Sequence, residues 1–140
     1  MRLWLAIPLI ALLALSQQAP TGPFSHKKHA ALRMACSQCH MNAVKAERAG
    51  FPAVDRCRVC HMGIAERKIP GERVYVMRDF VIFSHARHAE AKLNCAQCHG
   101  EVNTMEKVEV VRSTKMASCM DCHREHNATR ECNVCHELGQ

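Results

Sequence analysis

Every cysteine in this chain belongs to a copy of one pentapeptide, Cys-x-x-Cys-His, and there are ten cysteines. The five copies are Cys36 and Cys39 with His40, Cys57 and Cys60 with His61, Cys95 and Cys98 with His99, Cys119 and Cys122 with His123, and Cys132 and Cys135 with His136. This spacing is the attachment signature of c-type haem. Two thiols add across the vinyl groups of one porphyrin, and the histidine that follows reaches the iron from one side. On this reading the ten cysteines hold five covalently bound haem c groups. His40, His61, His99, His123 and His136 are then the proximal iron ligands. The pattern constrains the fold more than any hydropathy pattern does, because five porphyrins in 140 residues leave little chain between them.

Two other chemistries use closely spaced cysteines. Cys-x-x-Cys pairs hold zinc or iron–sulfur clusters, and ten cysteines in an exported chain allow five disulfides. Neither accounts for the histidine after every pair. At this Cys and His content, random order gives on the order of 0.05 copies of the motif, so five copies point to haem.

The remaining histidines match the irons in number. The chain has ten histidines, of which five lie in the motifs. His26 and His29 form an H-x-x-H pair ahead of the first motif, His85 and His88 form another ahead of the third, and His126 follows the fourth. These five are the candidate distal ligands. With two imidazoles on each iron, the haems are low-spin, closed to substrate and lower in potential than Met/His haems.

The pairs belong to an internal repeat. FSHKKHAALRMACSQCH (24–40) aligns without gaps on FSHARHAEAKLNCAQCH (83–99), with nine of seventeen positions identical. Such self-similarity marks a duplication. One further motif follows the first copy and two follow the second. The chain therefore reads as a two-haem module over 20–75 and a three-haem module over 76–140, with a boundary near residues 71–79.

Phe-Ser-His-x-x-His ahead of Cys-x-x-Cys-His resembles the class III cytochromes c, the multihaem cytochrome c3 and c7 group. The three-haem half is similar to triheme cytochrome c7. The resemblance implies that the first histidine of each pair serves the haem of the next motif and the second serves the haem after it. His26 then goes to the haem on Cys36 and Cys39, and His29 to the haem on Cys57 and Cys60. His85 goes to the haem on Cys95 and Cys98, and His88 to the haem on Cys119 and Cys122. The chain departs from the c7 pattern at Ser113–Ser118, where no histidine serves the last haem. His126 is the first candidate there and Met116 the second, with an open site as the third. Methionine ligation would raise that haem's potential.

Residues 1–19 read as a signal peptide: Arg2, an apolar run from Leu3 to Leu15, and small residues at a cleavage site near 16. The run is shorter than the ~20 residues that cross a bilayer, though an uncleaved anchor is the alternative. Export fits the haem reading and places the protein in a periplasm. Cleavage removes Arg2 and leaves 18 cationic against 13 anionic side chains. That basic excess offsets the haem propionates, so nucleic acid is not an expected partner.

With about 25 residues per haem, the chain buries little surface of its own. The expected fold is a small multihaem cytochrome of the c3/c7-like kind. It is mostly irregular, with short α-helices around a haem core and little β. Val74–Val76 and Phe80–Phe83 are candidates for a short hairpin or extended arm, and Val108–Val111 is a weaker one. The expected function is electron transfer rather than catalysis. The partners would be a quinol-oxidising membrane complex, a terminal reductase or other cytochromes. A role as the haem subunit of a membrane oxidoreductase complex is one alternative. A reductase of a small inorganic substrate is another, and a subunit of a haem filament is a third.

Overall fold

The computed structural model describes residues 24–64 and 73–137. The expected signal peptide and part of the expected module boundary lie outside these residues. Among the described residues the elements are short helices: α1 (His26–Ala30), α2 (Cys36–Cys39), α3 (Val54–Arg58), α4 (His85–Glu90), α5 (Ala96–His99), α6 (Met116–Glu125) and α7 (Cys132–Cys135). The 3₁₀ turns Met41–Val44 and Val102–Thr104 follow α2 and α5. Helices of four or five residues are too short to be stable alone. Their boundaries follow the Cys-x-x-Cys-His motifs and local caps.

Those caps repeat with the sequence. Ser25 and Ser84 accept from the backbone N–H of Lys28 and Arg87, starting α1 and α4. Gln38 and Gln97 accept from Ala35 N and Asn94 N at 2.8 and 2.7 Å, bracing the turns that carry the first and third motifs. Arg33 and Lys92, at equivalent positions, both adopt left-handed backbone, with φ of 51° and 58°. Single residues of this kind commonly end a helical turn.

The contacts divide the chain into two compact units. Of the described chain, the smaller contains residue 24 and residues 52–64, with α3 and the second motif. The larger contains residues 25–51 and 73–137, with the other four motifs. Both copies of the sequence repeat, from Ser25 and from Ser84 onward, thus lie in one unit. There α4 packs against the 3₁₀ turn Met41–Val44, and α1 packs against Val102–Thr104.

No strand forms among the described residues, so of the two forms expected for Val74–Val76 and Phe80–Phe83, a short hairpin or an extended arm, the hairpin is absent. The second segment instead reaches the C-terminal motif. Val81 makes an isolated antiparallel bridge with His136, and Ile82 N–H donates to Cys135 O at 2.8 Å. Tyr75 is occupied by tertiary hydrogen bonds that a hairpin would not supply. Local β propensity is overridden by partners distant in sequence.

Among the described residues no hydrophobic side chain is buried, and Ser25, 6% exposed, is the buried polar one. Leu32, Phe51, Val59 and Val76 are each more than half exposed. A polypeptide arranged this way has no protein core. Its apolar side chains suit packing against large flat apolar groups, as the five motifs require.

Candidate haem centres

Among the described residues, imidazoles face one another in pairs at nearly constant separation. His26 and His40 have ring centroids 6.3 Å apart, with planes 15° from parallel. For His85 and His99 the values are 6.4 Å and 7°, and for His88 and His123 they are 6.2 Å and 44°. A metal–imidazole nitrogen bond is about 2.0 Å, and the ligating nitrogen lies about 1.1 Å from its ring centre, so one ion between two such rings separates their centroids by about 6.2 Å. The observed spacing matches one iron between two histidines.

Backbone carbonyls orient these rings. His85 Nδ1 donates to Glu47 O at 2.9 Å, His88 Nδ1 to Ser84 O at 2.7 Å and His123 Nδ1 to Thr129 O at 2.7 Å. His40 Nδ1 donates to Gly50 O at 3.3 Å. A carbonyl can only accept, so the proton sits on Nδ1 and the Nε2 lone pair is left for a metal. This is the usual outer-shell support of a ligating histidine. Burial lowers the pKa of His26 and His99, with the neighbouring imidazoles adding to the effect. Both therefore favour the neutral, ligating form.

Helical spacing lets α4 serve two centres. His85 and His88 sit at i and i+3, one turn apart on a shared side of the helix. His85 faces His99 and His88 faces His123. Phe83 stacks on His88 at 4.6 Å and meets His85 edge-on at 4.8 Å, holding the two rings apart.

The other candidate ligands have the following surroundings. His29, in the larger unit, donates from Nδ1 to Ser25 O at 2.9 Å, while His61 belongs to the smaller unit. His136 donates from Nδ1 to Phe80 O at 3.3 Å, and the Phe80 ring lies 5.8 Å away, tilted by 32°. His126 caps the C-terminus of α6 and lines an open cleft with Leu93, Gln97, Cys98, Arg112 and Cys122. It is in none of the three facing pairs. Met116 is the first residue of α6 and is 61% exposed.

None of the ten cysteines is joined to another in a disulfide. In the smaller unit Cys57 is half-buried and Cys60 is exposed. There the second motif closes as one tight turn: Cys60 N–H and His61 N–H both donate to Cys57 O, at 3.2 and 2.8 Å. Cys60 lies just past the end of α3, whereas Cys39 and Cys135, its counterparts in the first and last motifs, end their own helices. Among the described residues no group of three or more His, Cys, Asp or Glu side chains converges on a metal position. Paired cysteines followed by an imidazole fit a porphyrin rather than a four-ligand cluster. Burial, with the neighbouring Cys95, pushes the pKa of the Cys36 thiol up. Burial and the nearby Cys135 do the same to Cys119.

Sequence reasoning missed Tyr75, the single tyrosine of the chain. Its hydroxyl donates to Cys98 O at 2.9 Å and accepts from Val111 N at 2.9 Å, with Arg112 N at 3.4 Å. Its ring meets His99 edge-on at 4.6 Å. A lone tyrosine amid β-prone residues was the only available signal, and it gave no partner.

Residues 81–137 match the family model of cytochrome c7 and related cytochrome c. This c7-like segment begins just before α4 and takes in the last three motifs. It lies in the half for which the sequence itself resembles c7. No curated protein matches the chain. The short helices and absence of strands among the described residues agree with a small c7-like multihaem fold. A c7-like segment implies covalently bound haem c and a role in electron transfer. Among the described residues no helix is long and apolar enough to cross a membrane.

Proposed function

We propose that this chain is a periplasmic pentahaem c-type cytochrome. It passes electrons between a membrane donor, such as a quinol-oxidising complex, and a terminal reductase or another cytochrome. The observation that carries this reading is the set of three facing imidazole pairs at 6.2–6.4 Å, each including the histidine of its own Cys-x-x-Cys-His motif. A residue pair that fills both axial positions leaves no place for substrate, which favours conduction over catalysis.

In this reading His26 and His40 ligate the iron at Cys36 and Cys39, and His61 ligates the iron at Cys57 and Cys60. His85 and His99 serve the iron at Cys95 and Cys98, and His88 and His123 the iron at Cys119 and Cys122. His136 ligates the last iron, with His126 as its first candidate partner and Met116 as the second. Haem, when bound, supplies one-electron ferric/ferrous chemistry. The chain supplies ligation, orientation and charge balance. Hydrogen bonds from Nδ1 to carbonyls raise imidazole donor strength and keep the potentials low. Arg112, in the cleft with Cys98 and Cys122, is placed to offset propionate charge. Residues 1–19 direct export, since c-type haem is attached outside the energy-conserving membrane.

The intact mass of the secreted holoprotein tests this directly. The expected value is the chain cut near residue 16 plus five haems, with a low-spin ferric spectrum. Fewer than five haems after full maturation would contradict it.

A further inference from the structure

Alignment of Phe24 with Phe83 sets a repeat offset of 59 positions. Under that offset the contacts between the two copies exchange with each other. Lys27 N–H donates to Met105 O at 3.3 Å, and Ala86 N–H donates to Ala46 O at 3.0 Å. Lys27 corresponds to Ala86 and Ala46 to Met105, so these are one bond made twice. The packing of α1 on Val102–Thr104 and of α4 on Met41–Val44 is likewise one contact made twice. Contacts of the form i to j and j to i define a two-fold, isologous interface. The duplicated sequence has folded as an internal dimer.

The helix that carries His26 packs against the 3₁₀ turn that follows the third motif, and the helix that carries His85 packs against the turn that follows the first. The pseudo-two-fold axis therefore relates the first and third motifs as neighbours. The copies also complete each other's sites: Glu47 of the first copy holds His85 of the second, accepting from both its N–H and its Nδ1.

We propose that the haem at Cys36 and Cys39 and the haem at Cys95 and Cys98 form an adjacent, electronically coupled pair across this pseudo-two-fold axis. This inference rests on the haem reading above. The order of neighbours in the larger unit then departs from chain order, running from the first haem to the third. The third haem in turn neighbours the fourth through the shared helix α4. Exchange within the pair moves one electron from a ferrous to a ferric centre, with no bond made or broken. An electron on one member disfavours reduction of the other by like-charge repulsion.

The fully reduced holoprotein is diamagnetic and suits proton NMR. Nuclear Overhauser contacts are expected between the porphyrin at Cys36 and Cys39 and the porphyrin at Cys95 and Cys98. Their absence, with the first porphyrin contacting only the one at Cys57 and Cys60, would overturn the pairing. A second measurement uses His99→Met, which raises the potential of the third haem. The midpoint of the first haem should then shift more than that of the fifth. Equal shifts, or none at the first haem, would overturn the coupling. A protein carrying five haems without these signals would sink the pair alone. A protein lacking the haems would sink the functional reading.

Discussion

The two repeat copies share one design and differ in what braces it. Each has a serine-capped helix with two histidines, a glutamine-braced motif and a 3₁₀ turn. In the first copy the motif histidine, His40, is oriented by Gly50 O. In the second, His99 is met by the edge of Tyr75, and Gly100 takes the place of Met41. Gly100 has φ +68° and ψ −168°, a conformation open essentially to glycine alone. A Cβ there would lie 2.8 Å from Val111 Cγ2. The clasps between copies are also unequal. Ser25 donates to Glu106 Oε2 at 2.7 Å, and Lys27 lies 3.6 Å from the same carboxylate, whereas the repeat puts Ala86 where the first copy has Lys27. The capped helix and the motif form the common frame. The surroundings of each motif histidine were free to diverge.

The largest effects should come from the ligands themselves. His26→Ala and His85→Ala should each open one iron, giving a high-spin ferric signal and one equivalent of CO bound by the ferrous protein. If only one of the two variants did so, the copies would not be equivalent at the iron.

Gly100→Ala should destabilise the holoprotein by about 1–3 kcal/mol through backbone strain, with further loss from the Val111 clash. Met41→Ala, at the equivalent position, should cost less. Thermal melts of the two variants would show it, and equal losses would remove the distinction.

Tyr75→Phe should cost about 1–3 kcal/mol, because the Cys98 carbonyl loses its donor and two backbone N–H groups lose their acceptor. The spectral change should be confined to the third haem, whose ligand His99 packs on the ring.

Ser25→Ala should destabilise by about 0.5–2 kcal/mol, and Ser84→Ala by the lower end of that range. Both lose a cap, but only Ser25 also donates to Glu106. Equal losses in thermal melts would show that the Glu106 contact adds nothing.

The smallest effect concerns acid. The Ser25 hydrogen bond, with Lys27 and Lys28, holds the Glu106 carboxyl below its ordinary value of 4.5. A depressed carboxyl pKa stabilises the fold above the unfolded value, and that contribution disappears as pH falls through the lowered one. Wild type and Glu106→Gln should therefore differ in melting temperature above pH 4.5 and converge in acid.

Much of the haem chemistry was legible in the sequence because it is local. Two thiols and an imidazole within five residues define each attachment site whatever surrounds it. Histidines at i and i+3 after a capping serine announce a helical turn with two ligands on one side, and α1 and α4 have that form. The gap in the ligand set was legible too: Ser113–Ser118 has no histidine, and His126 lies outside the three facing pairs.

The tertiary structure alone decided how the copies pair, where Tyr75 goes and why Phe80–Phe83 forms no hairpin. The physical reason is the same in each case. The partners are backbone carbonyls and N–H groups, which nearly every residue carries, so the sequence does not mark them. Glu47 O holds His85, Cys98 O holds Tyr75, and Cys135 O holds Ile82, and none of these roles depends on its side chain. The sequence by itself determined five haem motifs and a duplication. Folding determined that the two copies clasp each other through reciprocal contacts, Lys27 N–H to Met105 O and Ala86 N–H to Ala46 O, because only long-range contact brings equivalent positions together.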